Sequence, residues 1–383
     1  MKNFRRSRLP PPVKWLCVFW ALMCSLGLSA CGAADKTLTP TFHAEGNPPL
    51  LSDWGVVGIT GGELALGSDV LAYDLNTPLF TDYAHKLRTV WMPAGTSATY
   101  HPTDSFEFPV GTIISKTFYY PKGETAGEVL KSEIVEPAPL DLSKYRLIET
   151  RILANRAEGW VALPYVWDAD QSEAHLKRIG DIKHLTLVSD AGAENFPYVV
   201  PNANQCAGCH ATNATTKQLL PIGPKARHLN KNYGANEVGQ LEAWQAAGYL
   251  NESLKNEAEI QKAAVWNDPD YSLDARARSY LDINCAHCHN KVGPADTSGL
   301  HFEPETETGV HLGLCKSPIA AGSGTGGRPF DIVPGDPESS ITVYRMQATD
   351  PSEMMPELGR SLAHAEGVEL IREWVTGLEG DCG

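Results

Sequence analysis

Basic residues are scarce in this 383-residue chain: 32 Lys and Arg stand against 46 Asp and Glu, a formal charge of −14. A surface of that sign repels phosphate backbones, which excludes nucleic acid as a partner. Long apolar runs are scarce too, and the one candidate, Trp15 to Leu28, is too short to span a bilayer. Methionine occurs six times, never between His210 and Asp268. Residues 51–200 contain no glycine-rich phosphate loop and no metal-ligand spacing.

What the chain does have begins at its N-terminus. Lys2, Arg5, Arg6, Arg8 and Lys14 precede the apolar run, as in the charged and hydrophobic regions of an export signal. The run closes on Leu28-Ser29-Ala30-Cys31, which resembles a bacterial lipobox. This predicts a signal peptide over residues 1–30, lipidation of Cys31 and membrane attachment through several acyl chains. Gly32 rather than Asp after the cysteine resembles the outer-membrane sorting class, so the expected location is the cell envelope, facing the periplasm. An ordinary secretory signal with a coincidental cysteine is the alternative. Cleavage removes five basic and no acidic residues, taking the charge from −14 to −19. That suits docking to a basic partner and also simply favours solubility.

Two C-x-x-C-H motifs carry the chemistry: Cys206-Ala207-Gly208-Cys209-His210 and Cys285-Ala286-His287-Cys288-His289. This is the signature of covalent c-type haem attachment. Two thiols three residues apart can add to the two vinyl groups of one haem, and the next imidazole then lies under the iron. The pattern predicts two haem c groups, held by Cys206, Cys209, Cys285 and Cys288, with His210 and His289 on iron. A thioredoxin-like pair or half of a zinc site is the bland reading; the trailing histidine in both copies and the exported location argue against it. Cys17, Cys24 and Cys31 belong to the signal and anchor, which leaves Cys315 and Cys382. In an oxidising compartment these are expected to form a disulfide, two free thiols being the alternative.

Residues 31–50 read as a tether. Residues 51–200 read as a β-rich domain, an antiparallel sandwich or meander, with strands near 87–91, 112–120, 146–153 and 160–167. A first haem module spans 201–268 and a second, similar to class I cytochrome c, spans 269–383. The fold class expected is therefore α+β, an antiparallel β-rich domain followed by α-helical cytochrome c-like modules. Helices are expected at 238–250, 274–283 and 365–375. Gly223-Pro224 and Gly293-Pro294 follow the motifs and resemble the loop that accepts the proximal imidazole's hydrogen bond in cytochromes c. Met355, before Pro356 and the last helix, is the expected sixth ligand of the second haem, with Met354 and Met346 as alternatives. For the first haem, His228, His43, His85, His101, His175 and His184 are all candidates, as is an open iron.

The stretches Asp74–Ala84, Phe108–Thr112, Leu163–Trp167, Pro221–Arg227 and Asp282–Asn290 resemble a proteobacterial family of dihaem c-type cytochrome lipoproteins, over nearly the whole mature chain. Members tend to be encoded beside a secreted parallel β-helix repeat protein, which implies a partner of that kind beside a periplasmic redox protein. A weaker similarity, a Phe-Pro-Val-Gly-Thr strand before a late C-x-x-C-H, is to the cytochrome P460 architecture. The first expectation is an electron carrier, and the alternative is a haem enzyme, peroxidase-like or P460-like, whose open first haem is fed by the Met-ligated second.

Overall fold

The β-branched and aromatic runs of residues 57–200 form strands, and the protein is α+β, rich in antiparallel sheet. A computed structural model describes Met1 and residues 37–251, 259–319 and 321–383. The expected signal peptide, apart from Met1, and the expected lipidation at Cys31 lie outside the described residues. Residues Thr37–Gly383 form one compact unit.

A small sheet joins β1 (Val57–Thr60), β2 (Glu63–Leu66) and β7 (Leu140–Asp141). The main sheet has the order β10–β9–β8–β5–β4–β3. It is built from β3 (Leu71–Tyr73), β4 (His85–Trp91), β5 (Ile113–Pro121), β8 (Tyr145–Arg156), β9 (Gly159–Trp167) and β10 (Ala174–Leu176). A third sheet joins β12 (Gly192–Val200), β11 (Asp181–Ser189) and β6 (Glu128–Leu130), and its β6–β11 pair runs parallel.

Side-chain alternation along the main sheet divides its two faces. Ile113, Tyr119, Leu147, Ile152 and Tyr165 pack with Trp54 and Leu64 of the small-sheet side. Trp54 Nε1 donates to the Tyr165 hydroxyl at 2.7 Å, which donates in turn to the Pro48 carbonyl at 2.9 Å, so the indole's polar atom is satisfied in the core. Within the expected tether, the Thr41 N–H donates to the Trp54 carbonyl and the Pro49 carbonyl accepts from the Leu176 N–H, both at 2.9 Å.

The opposite face packs on helices. Val90 and Ile114 meet Ala226 and Leu229 of α2 (Ala226–Leu229) and Leu241 and Trp244 of α3 (Gln240–Ala246). α1 (Ala203–His210) precedes them; its N-cap Asn202 and Gln205 form a reciprocal capping box. A separate helical core joins α4 (Leu273–Leu281), α5 (Ile341–Gln347) and α6 (Ala365–Thr376). α6 buries Val368, Ile371, Trp374 and Val375 at helical spacing. It crosses α4 at Gly367, where a Cβ would stand 2.3 Å from the Tyr280 hydroxyl, so only glycine permits this approach. Cys315 and Cys382 are bonded, tying the C-terminus to the loop after Leu314.

Residues 74–84, between β3 and β4, stitch these parts together. Asn76 Nδ2 donates to the Arg227 carbonyl at 3.1 Å, and Thr77 Oγ1 donates to the Ala264 carbonyl at 2.7 Å. The Phe80 N–H donates to Asn284 Oδ1 at 2.8 Å, and Asp82 Oδ1 accepts from the Ser361 and Leu362 N–H groups at 2.7 Å each. One segment thus contacts the first motif's surroundings, the second motif and the approach to α6.

Candidate functional site

α1 carries Cys206, Cys209 and His210, and the i, i+3 spacing puts both thiols on one side of the helix. α4 continues into a wider π-turn, Asp282–Ala286, which delivers Cys285 and leads to Cys288 and His289. All four thiols are unpaired. The two motifs touch, with Cys288 Sγ 3.9 Å from the Gly208 carbonyl oxygen.

The imidazole that closes each motif is oriented by its Nδ1. That of His210 lies 2.8 Å from the Leu220 carbonyl, which can only accept. That of His289 lies 3.1 Å from Ser298 Oγ, whose own proton goes to the Ala295 carbonyl at 2.7 Å. In both rings Nδ1 therefore carries the proton and Nε2 keeps its lone pair. This corrects one expectation: neither Gly-Pro step supplies the acceptor. Burial, then the neighbouring Lys116, pushes His210 down to about 3; burial, then Arg345, pushes His289 down to about 4. Both are neutral at neutral pH, as a metal ligand must be. Burial pushes the Cys285 and Cys288 thiols up to about 12, so both stay protonated.

A cavity of about 520 Å³ opens beside Cys285, Cys288 and His289. That is within the roughly 300–1,000 Å³ of small-molecule pockets. Met355 and Met346 both line it, together with Phe302 and Arg345. Met354 is buried and does not line it.

The cavity beside Cys206, Cys209 and His210 is tighter, about 140 Å³, and its floor is the main sheet. Arg88 of β4 pairs in register with Lys116 of β5, which pairs with Arg151 of β8. All three line this cavity. Like charges directly opposite one another on a sheet repel. Glu149 answers one of them, holding Arg151 Nη2 at 2.5 Å, and Arg88 Nη1 lies 3.2 Å from Asp74. Burial, then Arg151 and Arg88, pushes Lys116 down to about 7. Sequence reading missed this row of basic side chains, which only strand register could have revealed. The two cavities share Cys209, Asn284, His287, Pro356 and Leu358 as a common wall.

The six histidines considered for the first site lie elsewhere. His228 Nε2 bonds Asp282 at 2.9 Å, His85 Nε2 the Ser132 carbonyl at 2.9 Å and His175 Nε2 Asp168 at 3.0 Å. His43 Nε2 bonds the Asp53 carbonyl at 3.0 Å, His101 Nδ1 accepts from the Asp104 N–H at 2.8 Å, and His184 is exposed on β11. None lines the cavity at Cys206.

Among the described residues, no group of three or more His, Cys, Asp or Glu could hold a bare metal ion. A haem iron asks less of the chain, since its equatorial donors come from the porphyrin. No described helix is long and apolar enough to cross a membrane. Compared with protein-family models, with curated proteins and with solved structures, the chain matches none.

Proposed function

We propose that this chain is a dihaem c-type cytochrome that carries electrons in the bacterial cell envelope, anchored by lipid at Cys31. The observation that carries this reading is the contact between two C-x-x-C-H motifs, each with free thiols and a neutral imidazole whose Nε2 is left unprotonated.

The residues fit the group. Cys285 and Cys288 would hold one haem beside a cavity of about 520 Å³, with His289 and Met355 toward its iron. Cys206 and Cys209 would hold the other, with His210 as proximal ligand. Its cavity is the narrower of the two, about 140 Å³. The row Arg88, Lys116 and Arg151 offers charge for its propionates. A bound haem supplies reversible one-electron chemistry. The chain's own part is to keep the imidazoles neutral and oriented, to bury the groups and to present an acidic surface to a basic redox partner. A secreted β-helix repeat protein is a second candidate partner on the strength of the family resemblance alone.

The test is intact mass of the protein exported from a host with a c-type maturation system. Two haems are expected, with one lost in a Cys206→Ala/Cys209→Ala variant and the other in Cys285→Ala/Cys288→Ala. A wild-type mass without haem ends the reading.

A further inference from the structure

The first haem site has one histidine on its wall besides His210. It is His287, the residue between the two cysteines of the second motif. Its Nδ1 is buried and has no hydrogen-bond partner. A buried nitrogen left in that state is costly, and a bond to a metal would satisfy it. No other motif histidine is treated this way: His210 and His289 each have Nδ1 satisfied. His289 lines the second cavity alone, whereas His287 stands in the wall common to both.

We infer that His287 supplies the second axial nitrogen to the haem held by Cys206 and Cys209, so that the residue inside one attachment motif ligates the haem of the other. The inference rests on the dihaem reading. Its consequence is a closed first iron, coordinated on both sides by imidazole, which is the state of an electron carrier and not of an oxygen- or peroxide-activating enzyme. It also places the ligand within the wall common to both cavities, so the second motif is fixed in register against the first by a bond to metal.

Lys116 is the rival donor, since it lines the same cavity and burial lowers its ammonium to about 7. Its ammonium already lies over the Phe118 ring, 5.4 Å from the centroid.

The test uses the purified holoprotein and begins with a haem count by intact mass. Fewer than two haems in the wild type overturns the dihaem reading itself, whatever the spectra. With two haems attached, the wild type is expected to be wholly low-spin by EPR and to leave both irons unreactive to cyanide. His287→Gly is expected to turn one haem of the two high-spin and cyanide-reactive, with low-spin character restored by added imidazole and the other haem unmoved. If that variant loses a haem, His287→Met serves instead, with a raised potential at one haem as the expected result. An unchanged spectrum in His287→Gly, a high-spin haem already present in the wild type, or an iron opened by Lys116→Met but not by His287→Gly each overturns the assignment.

Discussion

Cys288 Sγ sits 3.9 Å from the carbonyl oxygen of Gly208, a residue 80 positions earlier. Through that contact the two C-x-x-C-H motifs share a wall. A Cβ at Gly208 would meet Leu358 Cδ1 at 2.9 Å, so the absence of a side chain there helps the second motif's surroundings close onto α1. Groups bonded to Cys209 and Cys288 would face each other across that wall, a placement suited to passing an electron between them.

Met355 lines the second cavity, and under the proposed dihaem reading it is the axial thioether. Met355→Ala should leave both haems attached, lower the potential of the second haem and remove its sulfur–iron charge-transfer band. Met346→Leu, removing the other thioether that lines that wall, should leave the band in place. A band lost with Met346 and kept without Met355 would exchange their roles. Absorption and a redox titration check this.

Lys116 stands between Arg88 and Arg151 on the floor of the first cavity. Removing a positive charge beside an iron favours its oxidised, more positive state. Lys116→Met should therefore lower the potential of the first haem and leave that of the second. A spectroelectrochemical titration of both haems reads the difference, and equal shifts would count against the placement.

Asp282 is a buried carboxylate held by Arg227 at 2.7 and 2.8 Å and by His228 at 2.9 Å. Burial opposes its charge, but the bonds from His228 and Arg227 outweigh it and hold the carboxyl well below its usual range. Asp282→Ala should cost ~3–5 kcal/mol, because it strands the buried Arg227 guanidinium. Arg227→Met on top of it should restore part of that loss. Denaturant midpoints measure both.

His364 stacks on Phe80 at 4.4 Å, accepts or donates at Nδ1 with the Tyr280 hydroxyl at 2.9 Å, and is pushed by burial down to about 4. The unfolded ring takes its proton near pH 6.5, so between there and about pH 4 only the unfolded chain binds it, and stability falls as pH falls. His364→Phe removes this one titration. The advantage of wild type over variant should shrink by up to ~3 kcal/mol across that window. A gap that stays constant with pH would show that His364 does not titrate as described.

Local pattern carried much of this fold. Strands expected at 87–91, 112–120, 146–153 and 160–167 are seen as β4, β5, β8 and β9 within a few residues, because alternation and β-branching act over neighbouring positions. The helix expected at 238–250 is shorter, 240–246, and Gly248 with φ 74° lies just beyond it. The π-turn after α4, which opens on Asp282 bonded to Arg227 and His228, had no counterpart in the pattern.

By itself the sequence determined the two C-x-x-C-H patterns and the Cys315 and Cys382 left over, since these need only residue type and spacing. The tertiary structure alone decided what surrounds them. Leu220 and Ser298, not the Gly-Pro steps, meet the imidazoles because loop paths set where an acceptor stands. Arg88, Lys116 and Arg151 form a row only through strand register, and His287 reaches the other motif only because α1 packs against the turn that carries it. None of these relations is local, so no window along the chain contains them.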